Sequence, residues 1–140
     1  MGERSIIANI RAKEDSSTPG VYVHWMGAPS DVASLVAYCK MQDFRGFQYD
    51  YMAARLAQVA CNCEDSKLSV GTGPVSGLAM PDYGIWYVDD EWNIVENSEG
   101  LSIPKPDLVT VLMINAQQPE WLKMDRGDIV NALMQMEGEQ

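Results

Sequence analysis

Hydrophobic and polar residues alternate at the start of the chain. Over residues 5–13, Ile6, Ala8 and Ile10 fall on one side and Asn9, Arg11 and Lys13 on the other, the period of two expected of a strand. The polar run Glu14-Asp15-Ser16-Ser17-Thr18 then leads to Pro19-Gly20. Proline presets φ for the second position of a turn, and glycine accepts the positive φ that a type II turn needs in its third. Residues 21–26 are rich in β-branched and aromatic side chains and predict the returning strand of an N-terminal hairpin. After Gly27-Ala28-Pro29-Ser30 the period changes. Val32, Leu35, Val36 and Cys39 recur at helical spacing, with Ser30 or Asp31 placed to cap the first turn. Gly46 interrupts, and a second helix over about residues 48–61 carries Met52, Leu56, Val59 and Cys63 on one stripe. Small Ala53, Ala54, Ala57 and Ala60 flank that stripe, and the short connection predicts an αα-hairpin of antiparallel neighbours.

The second half reads mostly as β-structure. Residues 68–71 form a short strand ending in a tight turn at Gly71-Thr72-Gly73-Pro74, and residues 84–89 and 92–95 form a hairpin around Asp89-Asp90-Glu91. Residues 108–114 are the most apolar segment and predict a central strand. Pro119 suits the first turn of a C-terminal helix carrying Trp121, Leu122, Ile129, Val130, Leu133 and Met134, bent at Gly127. The whole chain, residues 1–140, is then a single α+β domain. Its antiparallel sheet has about five or six strands, with the αα-hairpin and the C-terminal helix packed against one face.

Composition fits that picture, with 46% hydrophobic and 21% charged residues. No apolar run approaches the roughly 18 to 20 residues that span a bilayer, so no membrane partner is expected. The first residues lack a signal-peptide pattern, and three cysteines, Cys39, Cys61 and Cys63, suit reduced thiols in a host cytosol. Charge adds a partner class. The formal net charge is -10, with 7 Lys/Arg against 8 Asp/Glu in residues 1–70 and 3 against 12 in residues 71–140. No basic residue stands between Lys67 and Lys105. Such a face repels phosphate backbones and excludes direct nucleic-acid binding, while it attracts a basic protein surface. Asp82, Asp89, Asp90, Glu91 and Glu96 are the candidate partner-binding acids.

Candidate chemistry is sparse. His24 is the only histidine; a histidine can serve as general base, but no nucleophile stands at recognisable spacing and a structural role fits better. Cys61-Asn62-Cys63 has one residue between its cysteines, too few for a structural zinc knuckle even with Cys39 and His24 as further ligands. Gly71-Thr72-Gly73-Pro74 lacks the Lys-Ser/Thr ending of a phosphate loop. Asp89-Asp90-Glu91 lacks the spacing of a calcium loop, and Arg126-Gly127-Asp128 is a chance match to an adhesion tripeptide. No catalytic residue, metal or cofactor is assigned. Tyr22, His24, Trp25, Tyr83 and Trp86 form a candidate aromatic surface for a ligand or partner.

The stretch Val21-Tyr22-Val23-His24-Trp25-Met26-Gly27-Ala28-Pro29 resembles a group of small phage and prophage proteins in which a strand ends in Tyr-x-His-Trp-Asp-Gly-x-Pro and a helix follows. Their later tyrosine-rich strand, turning at acidic residues, is similar to residues 83–95. Met26 stands where the group has Asp, so any function of that acid is in doubt here. The resemblance implies a mobile-element origin and no particular chemistry. Three readings follow, in order. The first is an acidic interaction or inhibitor protein that binds a basic host protein, for example in a nucleic-acid-binding defence complex. The second is a binder of a small nucleotide signal through the aromatic and glycine-rich 71–87 region. The third is a small enzyme using His24.

Overall fold

The computed structural model describes residues 3–63 and 69–138. Five strands form one sheet: β1 (Ser5–Asn9), β2 (Pro19–Val23), β3 (Val70–Pro74), β4 (Ile85–Val88) and β5 (Ile94–Asn97), in the order β3-β2-β1-β4-β5. Four α-helices accompany it: α1 (Pro29–Met41), α2 (Tyr49–Cys61), α3 (Leu108–Ala116) and α4 (Arg126–Gly138). The N-terminal hairpin, the two helices after it and the hairpin at Asp89-Asp90-Glu91 all stand where the sequence pattern puts them. The fold is α+β as expected, but the sheet is mixed: β1 and β4 run parallel, with Ile6 beside Ile85 and Ala8 beside Tyr87, and the other pairings are antiparallel.

The first strand is shorter than its alternation suggests. The Asn9 side-chain oxygen accepts the Arg11 N–H at 2.8 Å and turns residues 10–13 into a 3-10 turn. The strand is also buried on both sides, with Ile6 and Ile7 each 1% exposed. Ile7, Val21, Val23, Trp86 and Val88 join the main core with the helices. On the other face Ile6, Ala8 and Ile85 join Ala12 in a smaller cluster, covered by Tyr22, Val75, Leu78 and Tyr87.

Three segments differ from expectation, each for a visible reason. Gly71-Thr72-Gly73-Pro74 is not a turn but most of β3, an edge strand in which Gly71 pairs with Tyr22 and Gly73 with Gly20. Proline is tolerated there because an edge strand has a side with no partner to receive its missing N–H. The expected start of this strand at Leu68 lies outside the described residues. Residues 108–114 are helix, not strand. Asp107 caps α3, its Oδ2 accepting the Thr110 N–H at 3.0 Å and the Thr110 hydroxyl at 2.9 Å, which satisfies an amide the first turn would otherwise leave orphaned. Finally, Pro119 opens only an isolated turn, closed by the Leu122 N–H on the Pro119 carbonyl at 2.9 Å, and α4 begins at Arg126 beside Asp125, which accepts the Gly127 N–H.

α1 sits at the centre of the helical layer, touching α2, α3 and α4, and Val32 through Cys39 are all buried. Two glycines set its surroundings. A Cβ on Gly27 would lie 2.1 Å from the Glu3 carbonyl oxygen, and one on Gly46 would lie 2.1 Å from that of Asp90. Gly27 therefore lets the chain leave β2 against the start of β1, and Gly46 lets the α1–α2 connection press onto the β4–β5 turn. Polar bonds fix α3 from both ends. The Tyr38 hydroxyl donates to Asn115 Oδ1 at 2.7 Å, Gln118 Nε2 donates to the Val59 and Ile114 carbonyls at 3.1 Å, and Ser34 Oγ accepts the Asp107 N–H at 3.0 Å.

Candidate functional site

Most of the carboxylates singled out in the sequence are already occupied within the chain. Asp82 accepts a bidentate pair from Arg4, Nε to Oδ2 at 3.0 Å and Nη2 to Oδ1 at 2.8 Å, and this hydrogen bonding holds its carboxyl below the usual range. Glu96 pairs with Lys13, whose ammonium also lies 5.8 Å from the centre of the Tyr87 ring. Asp89 shapes the β4–β5 turn: its Oδ1 accepts the N–H groups of Glu91 and Asn93, each at 2.9 Å, and its Oδ2 accepts Asn93 Nδ2 at 3.2 Å. Asp90 accepts Asn9 Nδ2 at 2.9 Å. Glu91 is exposed, and its carboxylate has no hydrogen bond or ion pair among the described residues. The hairpin tip is thus a built turn with one spare acid. It lies at the carboxyl ends of the parallel pair β1 and β4, where Asn9, Arg11, Glu14, Tyr49, Asp90 and Glu91 line an open crevice of about 500 Å³.

The aromatic residues divide. Tyr22, His24 and Trp25 gather at one end of the sheet, with the Tyr22 hydroxyl 3.4 Å from His24 Nδ1 and the His24 and Trp25 rings edge-on at 4.8 Å. Trp25 is half exposed. Tyr83 does not join them: its N–H donates to the Arg4 carbonyl, but its side chain packs against the main core, whereas Tyr22 covers the smaller cluster on the other face. Trp86 does not belong to this surface. It is fully buried beneath the helices, and its indole N–H donates to Ser5 Oγ at 3.1 Å, because β4 turns that side of the strand into the main core. The His24 ring lies within hydrogen-bond distance of the Tyr22 hydroxyl, and its backbone N–H donates to the Ser69 carbonyl at 3.2 Å. Cys39 and Cys63 lie in the core, where burial pushes the Cys39 thiol well above its ordinary value, and Cys61 is exposed. Among the described residues, no three His, Cys, Asp or Glu side chains converge as metal ligands would, and no helix is long and apolar enough to cross a membrane.

The surface that the sequence reading missed is apolar. α3 is hydrophobic almost all round, yet only Val111 and Ile114 are buried. Val109 is 64% and Met113 55% exposed, Leu108 is exposed beside them, and Met134 on α4 is 64% exposed. Leu108 and Met134 meet with Val130 and Leu133 around a recess of about 120 Å³. Lys105, Pro106 and Met136 are shared between that recess and a longer groove of about 480 Å³, which continues past Ile103 to Trp92 and Asn93. The recess beside Leu108 and Met134 thus continues as a groove to Trp92 and Asn93, next in the chain to the acidic turn. The available signal was the Asp107-x-x-Thr110 cap ahead of the apolar run, which a strand assignment leaves without meaning. Comparison with family models, with curated proteins and with solved structures finds no match.

Proposed function

We propose that this chain is an acidic interaction or inhibitor protein of phage or mobile-element type, acting in a host cytosol on a basic protein surface. The observation that carries the reading is the uncovered flank of α3, where Val109 and Met113 stand in water on the most apolar helix of the molecule. Apolar surface of this kind marks a docking site. Fully burying such side chains is worth roughly 1.5–3 kcal/mol each, whereas an exposed ion pair contributes about 0–1 kcal/mol. The division of labour follows. Val109, Met113, Leu108 and Met134 anchor the partner, and the excess of acid in residues 71–140 speeds encounter and rejects acidic competitors. Glu91, in the β4–β5 turn, is the spare carboxylate for a basic side chain. Lys40, which donates to Asn93 Oδ1 at 2.6 Å, and Lys105 line the groove that runs from Met136 to Asn93.

The test places a photo-crosslinking residue at position 113 and captures partners from a host lysate at low and high salt. A basic protein should be crosslinked, its association should slow as salt rises, and Val109→Gln with Met113→Gln should abolish capture without loss of fold. Capture that survives this double change but disappears with Tyr22→Ala or Trp25→Ala would move the interface to the aromatic end of the sheet and sink the reading.

A further inference from the structure

One cluster of cations stands apart from the acidic character of the chain. Arg45, in the α1–α2 connection, holds its guanidinium carbon 4.4 Å from the centre of the Tyr51 ring, and Arg55, one turn further along α2, holds its own 4.9 Å from the same point. Arg55 also lies 5.5 Å from the Phe44 ring. Its Nη1 donates to Gln58 Oε1 at 2.8 Å, while its Nε is buried without a hydrogen-bond partner. The chain has twice as many acids as bases, and Arg4, Arg11, Lys13 and Lys123 each pair with a carboxylate. Arg45 and Arg55 have no such pair among the described residues. Two guanidiniums share one phenol instead.

We propose that Arg45 and Arg55 form a clamp for a phosphate-class dianion at the hydroxyl edge of Tyr51. Three features support it. Two like charges held against one ring repel each other, and a dianion between them removes that cost through guanidiniums that no carboxylate among the described residues pairs with. The aromatic faces of Tyr51 and Phe44 hold the guanidiniums in place without neutralising them. The site also lies at the start of α2, whose N-cap residue Gln48 makes no side-chain bond to the first turn, so the positive end of the helix adds to the field, less what the Asp50 carboxylate in that turn offsets. The Tyr51 hydroxyl already reports that field: hydrogen bonding and charge from Arg55, then from Arg45, hold it below the ordinary phenol value. Arginine is suited to this task because its planar fork meets two phosphate oxygens at once.

The experiment titrates the protein with inorganic phosphate at constant ionic strength, against sodium chloride, and follows the arginine side-chain and Tyr51 NMR signals. Saturable shifts are expected, with a dissociation constant on the order of 1 mM, and the phenol titration should move back up towards its ordinary value. Arg45→Gln, an exposed position, should weaken binding about tenfold with an unchanged melting temperature, and Arg55→Gln should do the same. Phenyl phosphate distinguishes the source. Tighter binding than inorganic phosphate points to a phosphomonoester ligand, and equal binding to the free anion, and both support the clamp. No saturable shift beyond that of chloride, or full binding by a folded Arg45→Gln, overturns it and leaves a packing stack.

Discussion

α1 and α3 are both apolar helices in the same layer, and water treats them in opposite ways. α1 contains two serines, an aspartate, a tyrosine and a lysine, yet every residue from Val32 to Cys39 is buried. α3 is Leu-Val-Thr-Val-Leu-Met-Ile-Asn-Ala, and buries two. Their own hydrophobicity would rank them the other way. What decides is position: α1 has α2, α3 and α4 around it, whereas α3 packs on α1 and α4 and nothing covers its outer side among the described residues. A helix apolar all round is expected inside a core or against a partner. α1 meets the first condition, and the proposed partner would supply the second for α3.

The sharpest break of this comparison is a truncation inside α1. Leu35 is fully buried in the main core, so Leu35→Ala should cost about 2–5 kcal/mol, the lost transfer energy plus the cavity left behind. Chemical denaturation reads it directly. A cost below about 1 kcal/mol would mean that the centre of the helical layer is not close-packed. Gly46→Ala should come next, because the new Cβ meets the Asp90 backbone at 2.1 Å and one of two chain segments must withdraw. A loss of about 1–3 kcal/mol is expected, as for overpacking elsewhere. It should also loosen Trp92, which takes a positive φ of 64°, and whose indole N–H donates to the Phe44 carbonyl at 2.7 Å. Tryptophan fluorescence would show the ring entering water.

Why α1 was legible in the sequence and α3 was not follows from the same comparison. In α2 the apolar residues recur every three or four positions between polar ones, so the period itself names the helix, and Met52, Leu56, Val59 and Cys63 are buried as that period requires; α1, apolar from Leu35 to Cys39, was legible from its opening Pro29-Ser30-Asp31 and from the helical spacing of Val32, Leu35, Val36 and Cys39. In residues 108–114 every position but Thr110 is apolar. A run with no polar phase carries no period, and its valines and isoleucine favour a strand locally. The helix is imposed by Asp107 at its start and by the Asn115 and Gln118 bonds at its end, contacts with Ser34, Tyr38 and Val59 far away in the chain. The sheet shows the same limit. Its hairpins were readable from turns and alternation, but the parallel pairing of β1 with β4 depends on contacts about eighty residues apart. The acids show it once more: Asp89 looked like a charge offered to solvent, while its geometry is that of a turn-former. Removing it would test the turn before it tested any partner.

A smaller effect separates the two regions by pH. Burial pushes the Cys39 thiol up, and burial likewise raises the Tyr38 hydroxyl. Both groups ionise in the unfolded chain before they ionise in the folded one. Their contribution is therefore complete at neutral pH, and it fades as pH rises through the unfolded thiol value near 8.5 and then the phenol value near 10. Once the unfolded thiol has lost its proton, stability should fall by about 1.4 kcal/mol per pH unit for that one group. Cys39→Ala should flatten the fall of melting temperature between neutral pH and pH 10. An unchanged slope would mean that the thiol is reached by water. On the acid side, Arg4 lowers the Asp82 carboxyl by hydrogen bonding. That contribution is present above the unfolded value near 3.9 and lost below it. Arg4 and Asp82 are both well exposed, so little of the acid transition should depend on them.

The least effect on stability, and the most informative about function, is expected on α3 itself. Val109 and Met113 lose little water-free contact if they are replaced, since each is more than half exposed. Glutamine is as good a helix former as methionine and a better one than valine. Val109→Gln with Met113→Gln should therefore leave the folding free energy within about 0.5 kcal/mol of the parent, a small fraction of the Leu35→Ala loss although both changes remove apolar surface from neighbouring helices. Binding of an apolar dye such as ANS should fall, and sedimentation should show whether the parent associates with itself through this flank and the variant does not. If the double variant unfolds instead, the flank is covered in solution by part of this chain, and α3 would be a core helix like α1. If it is stable and still binds its partner, Val109 and Met113 are merely tolerated exposure. Stability retained together with binding lost is the pattern that an interface helix predicts and a core helix forbids.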